Sequence, residues 1–316
     1  MAFILCRTRL MVYPRYHLPD LTVTKASRVT NYFLVNLSAA DLLVTVVCMP
    51  YAIWNASQNI WYLGNISCML IGYLQCVAVG ASVFTITAMA IDRYLAITQP
   101  IGFPRWFNKT STTIVILTLW LVSLFIFSPM LWISQTKIIT VMNHTVPPLE
   151  WPVCQEDWTT FMEYKIYIGV FWFAITYVVP GILMVVAYSL MGRRLCSVRP
   201  PFDTHEGSAS TQQGFRLVRE RKRVAWILLL LALLFAACWL PHSILNLLLD
   251  TGDFTASKWL MPYCILLGHA NSAINPIIYC FMTRNFRRSV KELVFRTRNN
   301  FTTRRTNRGQ VSYSMN

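Results

Sequence analysis

Few residues in this chain are equipped for chemistry, and most of those stand inside apolar stretches. Asp92, Arg93 and Tyr94 form an adjacent acid, base and phenol at the end of the apolar stretch 69–97. Two charges at a helix end can simply reach the membrane interface. Asp41 lies within the apolar stretch 32–54, and Trp120 lies mid-way along another. Cys238, Trp239 and Pro241 share the middle of a further stretch, with Phe235 one turn earlier, and Asn271, Asn275, Pro276 and Tyr279 punctuate the last. Charged and amide side chains are costly in hydrocarbon, so each is a functional hypothesis by default. None forms a nucleophile–base pair or a metal-spaced cluster, so an enzyme is not expected.

The elements that position these residues are membrane helices. Of the 316 residues, 55% are hydrophobic and 13% charged, against about 25% charged in soluble domains. A span needs roughly 20 mainly apolar residues, and six stretches qualify: 32–54, 69–97, 113–134, 166–191, 224–249 and 259–282. The expected fold is all-α, a transmembrane helix bundle over 31–283. It is preceded by a non-membrane segment, 1–30, and followed by an amphipathic helix and tail, 284–316. Pro241 and Pro276 each remove a helix hydrogen bond and should kink their spans. No internal repeat, filter loop or arginine ladder suggests a transporter or channel.

Net charge is +15, but the basic residues are grouped. Arg193, Arg194, Arg199, Arg216, Arg219, Arg221, Lys222 and Arg223 fall between the fourth and fifth stretches, and more follow the last. That grouping places both regions in the cytoplasm, and no basic recognition module supports nucleic-acid binding. The opposite loops carry Glu150, Glu156, Asp157, Glu163, Asp250 and Asp253 against Lys137, Lys165 and Lys258. The polar run Pro200–Gly214 reads as a disordered loop. Phe286, Val290, Leu293 and Val294 share a face beside Arg287, Arg288 and Lys291, the pattern of a helix lying on anionic lipid.

In this order and spacing, Asp41, "DRY" at 92–94, "CWLP" at 238–241 and "NPIIY" at 275–279 resemble a rhodopsin-like (class A) G-protein-coupled receptor, over about residues 22–296. "NYFLVNLSAAD", "WYLG", Gln75 and "RERKRVAWILLLLALLFAACWLP" look most like neuropeptide receptors of the orexin, allatotropin, neuropeptide FF and trissin kind. The family has seven helices, and the one preceding "TKASRVTNYFLVNLSAAD" is not visible. The resemblance therefore implies six visible spans of a seven-helix receptor, with a shortened gene model as the expected reason. The alternative is a truncated, non-signalling chain acting as an interaction or dominant-negative subunit.

The resemblance also implies roles. Cys68 and Cys154 would form a disulfide, while the other cysteines would be packing residues or free thiols. No Cys follows Cys280, so the family's palmitoyl anchor is not expected. Gln75 replaces the aspartate of amine receptors and His269 the lysine of opsins, so neither a monoamine nor retinal is expected. Asp41, Ser82, Asn271 and Asn275 match a buried sodium site, and no cofactor beyond an allosteric sodium ion is implied. Arg93 would reach the G protein, held by Tyr188 and Tyr279, with Asp92 and Tyr94 beside it. Arg221 stands where many relatives carry an acid that restrains Arg93. Pro180, Phe235 and Val83 match a packing triad that rearranges on activation, and Trp239 would act as a lever beside the Pro241 kink.

For the ligand, Ile138–Met142 is a β-like run, followed by polar residues, a turn at Pro147-Pro148, and Cys154: a hairpin rim suited to a peptide. Gln75, Trp239, His242, Asn246 and His269 are the expected pocket lining, and the acidic rim suits a basic or amidated peptide. Asn143 is the glycosylation acceptor on the correct side. Asn36, Asn108 and Asn300 fit the sequon from within the membrane or cytoplasm, and Asn55 and Asn65 lie close to the bilayer. Expected partners are an extracellular peptide, a heterotrimeric G protein, the lipid bilayer, and arrestin and a receptor kinase acting on Thr302, Thr303, Thr306, Ser312 and Ser314. The expected location is the plasma membrane, with multiple passes.

Overall fold

A computed structural model describes residues 21–58, 60–98, 108–143, 146–197, 209–250 and 260–282. The amphipathic helix, the tail phosphosites, residues 1–20 and residues 200–208 lie outside the described residues, while residues 209–214 of the run expected to be disordered are helical. The first span comprises α1 (Leu21–Leu43), a π-helical turn (Val44–Cys48) and α2 (Met49–Gln58). Residues 21–30, assigned from sequence to the preceding segment, are thus already helical. Next come α3 (Gly64–Thr98), α4 (Lys109–Ile126) and the short α5 (Met130–Ile133). A β-hairpin follows, β1 (Ser134–Asn143) and β2 (Val146–Glu156), then a 3₁₀ turn (Thr159–Tyr164). The remaining spans are α6 (Lys165–Phe173), a second π-helical turn (Ala174–Val178) and α7 (Val179–Ser197), then α8 (Ala209–Asp250) and α9 (Met261–Met282).

Among the described residues, five spans are long and apolar enough to cross a membrane: Val29–Trp54, Gly64–Thr98, Lys109–Ile133, Thr159–Arg194 and Lys222–Asp250. The sixth, α9, has 22 residues, but His269, Asn271, Ser272 and Asn275 interrupt its apolar run. By internal packing the chain divides into residues 1–273 and 274–316. In the second unit the described residues are the last turns of α9, with Asn275 and Ile278 buried.

Within the first unit α3 is the hub, packing against α1, α4, α7 and α8. The Lys109–Ile133 and Thr159–Arg194 spans are only 17% buried, and Leu117, Leu121, Phe125, Val170, Ile182 and Val185 face outward. Such apolar surface is what a bilayer covers. One polar knot ties three spans together. Asn36 of α1 donates to Thr85 Oγ1 of α3 at 2.8 Å and accepts from the Trp120 indole of α4 at 2.7 Å. The Thr85 hydroxyl in turn donates to the Ala81 carbonyl at 2.6 Å. The Asn36 sequon therefore has a structural use.

Helix ends are closed by identifiable groups. Asn108 caps α4, its Oδ1 accepting from the Ser111 amide while Ser111 Oγ accepts from the Asn108 amide, each at 2.9 Å. At its far end α4 breaks before Pro129, and carbonyls freed within hydrocarbon must find donors. Tyr73 donates to the Leu124 carbonyl at 2.9 Å, the Trp172 indole to Ile126 at 3.1 Å, and Ser128 to Phe125 at 2.8 Å.

Candidate ligand and signalling site

The hairpin is antiparallel, pairing Ser134 with Glu156 and Asn143 with Val146. Its reversal lies between residues 143 and 146, so Pro147 and Pro148 are strand residues and not the turn expected from sequence. A two-stranded hairpin exposes an edge on each strand, where a residue lacking an N–H is tolerated. Four further contacts fix the base. The Cys68–Cys154 disulfide joins β2 to the start of α3, with Cα atoms 5.7 Å apart. The Trp61 amide donates to the Pro152 carbonyl at 2.6 Å, the Thr136 amide to Asn65 Oδ1 at 2.8 Å, and the Asp157 amide to the Ile133 carbonyl at 2.7 Å. Asn65 is thus an anchor for β1. The Asn143 side chain lies outside the described residues.

The expected acidic rim is partly neutralised. Asp157 pairs with Lys137 at 2.7 Å. That ammonium, together with the Thr159 amide and hydroxyl, holds its carboxyl well below the usual carboxylate range, at about 2. Asp250 pairs with Lys165 at 3.0 Å, tying α8 to α6, and its side chain is nearly buried. Gly169 makes room for this pair, since a Cβ there would lie 2.6 Å from Asp250 Oδ2. Glu150, Glu156 and Glu163 remain without a salt bridge among the described residues. Asp253 is outside them.

Below the rim runs an aromatic chain. Phe173 stacks on Tyr177 at 5.7 Å, Tyr177 meets Phe235 at 6.3 Å, and Phe235 meets Trp239 at 6.5 Å. The Tyr177 hydroxyl donates to the Ala236 carbonyl at 2.6 Å, one turn before Pro241. That carbonyl is not the one Pro241 leaves unpaired, so the bond adds a tie between α7's π-turn and α8. Trp239 is flanked by His242 at 5.7 Å and His269 at 6.2 Å, both nearly perpendicular to it. The structure thus brings together three of the five expected pocket residues. Gln75 and Asn246 are half-buried on α3 and α8.

At the cytoplasmic end Asp92 and Arg93 are both buried and joined by a salt bridge, and Arg93 Nε also donates to Asp92 Oδ2 at 2.8 Å. The two charges are thus buried against each other and do not reach out to the interface. Tyr94 is half-buried, and Tyr188 is buried with no hydrogen-bond partner for its hydroxyl among the described residues. The Tyr279 and Arg221 side chains lie outside the described residues. Pro180, Val83 and Phe235 are buried. Asp41, Ser82 and Asn271 are buried in the first unit, the Asn271 Oδ1 having no hydrogen-bond partner among the described residues, while Asn275 belongs to the second.

Comparison with known proteins now decides the family. The profile described as "7 transmembrane receptor (rhodopsin family)" matches residues 21–279. The chain belongs to this family. It is 28% identical to the QRFP-like peptide receptor of Branchiostoma floridae over 270 residues, 84% of this chain and 69% of that relative. It is 34% identical to neuropeptide FF receptor 1 of Rattus norvegicus over 273 residues, 82% of this chain and 61% of the relative. It is 32% identical to the RYamide receptor of Drosophila melanogaster over 274 residues, 85% of this chain and 56% of the relative. The match thus spans less than two thirds of two of these three relatives' own lengths. The chain is a multi-pass plasma-membrane protein of the rhodopsin family, similar to class A neuropeptide receptors, and the family is not one of enzymes.

The sequence did not single out Asn36 and Thr85 as partners of Trp120, nor the Lys165–Asp250 pair. Polar residues recurring in facing apolar spans were the available signal for the first. The ion pair had none, because its partners are far apart in the chain.

Proposed function

We propose that this receptor binds an extracellular basic or amidated neuropeptide and activates a heterotrimeric G protein. The observation that carries the reading is the Cys68-anchored hairpin at the mouth of the bundle, combined with the Trp239 cluster below and the buried Asp92–Arg93 pair at the other end. A peptide would lie along the hairpin and reach Gln75, His242, Asn246 and Trp239. Movement of Trp239 beside the Pro241 kink would shift α8 and free Arg93 for the G protein, with Tyr188 turning in to hold it. The names of the relatives support the ligand class: two are peptide receptors, and the RYamide receptor's name points to an amidated peptide. The exposed rim acids Glu150 and Glu163 would attract a basic one, whereas Glu156 already accepts from the Trp158 indole at 2.8 Å.

A small hard cation would be held by the oxygens of Asp41, Ser82 and Asn271, all three of which are buried; the Asn271 Oδ1 has no hydrogen-bond partner among the described residues. Sodium there would neutralise a carboxylate in a low-dielectric bundle and favour the inactive packing. Arrestin and a receptor kinase are the further partners of this reading. Nothing in the fold or the comparisons favours the non-signalling subunit.

The test is nucleotide exchange on purified G proteins in the presence of amidated and free-acid neuropeptides, with the chain in lipid nanodiscs. A peptide-dependent rise that Arg93→Ala abolishes while peptide binding persists is the expected result. A rise that survives Arg93→Ala, or specific peptide binding with no exchange on any G-protein class, overturns it.

A further inference from the structure

His269 is fully buried, and neither ring nitrogen has a hydrogen-bond partner among the described residues. A neutral imidazole carries one donor and one acceptor. Its perpendicular approach to Trp239 at 6.2 Å offers at most a weak N–H···π contact to one of them. An orphaned buried polar group disfavours the packing that orphans it, by about 5- to 150-fold in an equilibrium.

The neighbouring contact shows what holds the imidazole in this position. At Gly268 a Cβ would lie 2.8 Å from both Cε3 and Cζ3 of Trp239, so the indole's six-membered ring rests directly against the α9 backbone beside His269. His242 meets the same indole edge-on at 5.7 Å, and Phe235 meets it at 6.5 Å. The indole therefore sits in a close-fitting seat whose one unsatisfied wall is polar. Moving the indole opens the space that the His269 nitrogens need to reach water or another polar group.

We propose that His269 is a positioning residue that weakens the seat of Trp239, so that its two unpaired nitrogens set how readily the indole leaves. This rests on the proposed reading of Trp239 as the moving element. An apolar aromatic at 269 keeps the ring contact and removes the penalty, so the indole should stay seated. A methyl group at 268 collides with the indole and should unseat it.

The experiment uses the full chain in nanodiscs without ligand, labelled with 5-fluorotryptophan, the Trp239 resonance being assigned by its loss in Trp239→Phe. Fluorine NMR then gives the populations of the seated and displaced indole. His269→Phe should shift the ratio toward the seated state by about tenfold. Gly268→Ala should shift it the other way, and His269→Asn, which keeps a donor and an acceptor, should stay near the native ratio. Two Trp239 populations whose ratio His269→Phe leaves unchanged would overturn the proposal while sparing Trp239 as the moving element. A single, unmoved Trp239 population in both the native chain and Gly268→Ala would overturn both. A His269→Phe chain that fails to fold would show that imidazole packing dominates, and would also overturn it.

Discussion

Asn36→Leu should destabilise the receptor by about 2 kcal/mol, because Leu matches the size of Asn but serves neither of its partners. The substitution removes the 2.8 Å bond to Thr85 and the 2.7 Å bond from Trp120. Hydrogen bonds between membrane helices contribute about 0.6 kcal/mol on average and up to about 1.7. The orphaned Trp120 N–H adds roughly 1 kcal/mol or more, while Thr85 keeps its bond to the Ala81 carbonyl and so loses less. Trp120→Phe alone should cost about 1 kcal/mol, leaving the Asn36 oxygen unserved. In the double variant Asn36→Leu/Trp120→Phe no donor is orphaned at that contact, so the total should fall short of the sum of the singles by about 1 kcal/mol. Reversible unfolding in a fixed detergent, followed for all four chains, measures this. Additivity within about 0.3–0.5 kcal/mol would refute the claim that the knot is a coupled unit.

Three further outcomes are expected. Lys165→Met and Asp250→Asn should each destabilise the receptor, and together by less than their sum, with a coupling of about 1–3 kcal/mol; Gly169→Ala should mimic them by driving the pair apart, and additive unfolding energies would contradict this. Reducing the Cys68–Cys154 bridge, which spans a separation of 86 residues, should loosen the hairpin at a cost of up to about 4 kcal/mol, read as a lower unfolding temperature after dithiothreitol. Asp157 is an acid with a lowered folded-state pKa, so its contribution is complete above the ordinary carboxyl range near about 4 and is lost as pH falls through about 2. Hairpin-dependent peptide binding should therefore show no Asp157 step between about pH 7 and pH 5 in wild type, and a step in that window which Asp157→Asn abolishes would contradict the pairing with Lys137.

The spans were legible because twenty apolar residues with few charges have little alternative to a membrane helix. The hairpin was legible from its β-like run and from Cys154, and the disulfide from resemblance. Its turn was misplaced because Pro-Pro is a local turn signal, whereas the ladder is set by cross-strand pairing of Asn143 with Val146. The acidic rim was overcounted because charge tallies ignore which lysine each acid meets. His269 was read as pocket lining; that it is completely buried, next to a glycine against which the Trp239 indole rests, no local pattern reveals. Asn36 looked like a sequon because three letters carry no information about the facing helices.

The two π-helical turns, Val44–Cys48 and Ala174–Val178, bear on how such chains can be aligned. A turn that accommodates an extra residue shifts every later side chain by about 100° around the axis relative to an uninterrupted α-helix. Any correspondence drawn by counting from Asp41 to Trp54, or from Tyr164 to Pro180, is therefore out of phase unless a one-residue gap is placed at the wide turn. The same slack gives evolution a place to insert or delete a residue, re-aiming the outer end of a span while its inner end stays in register.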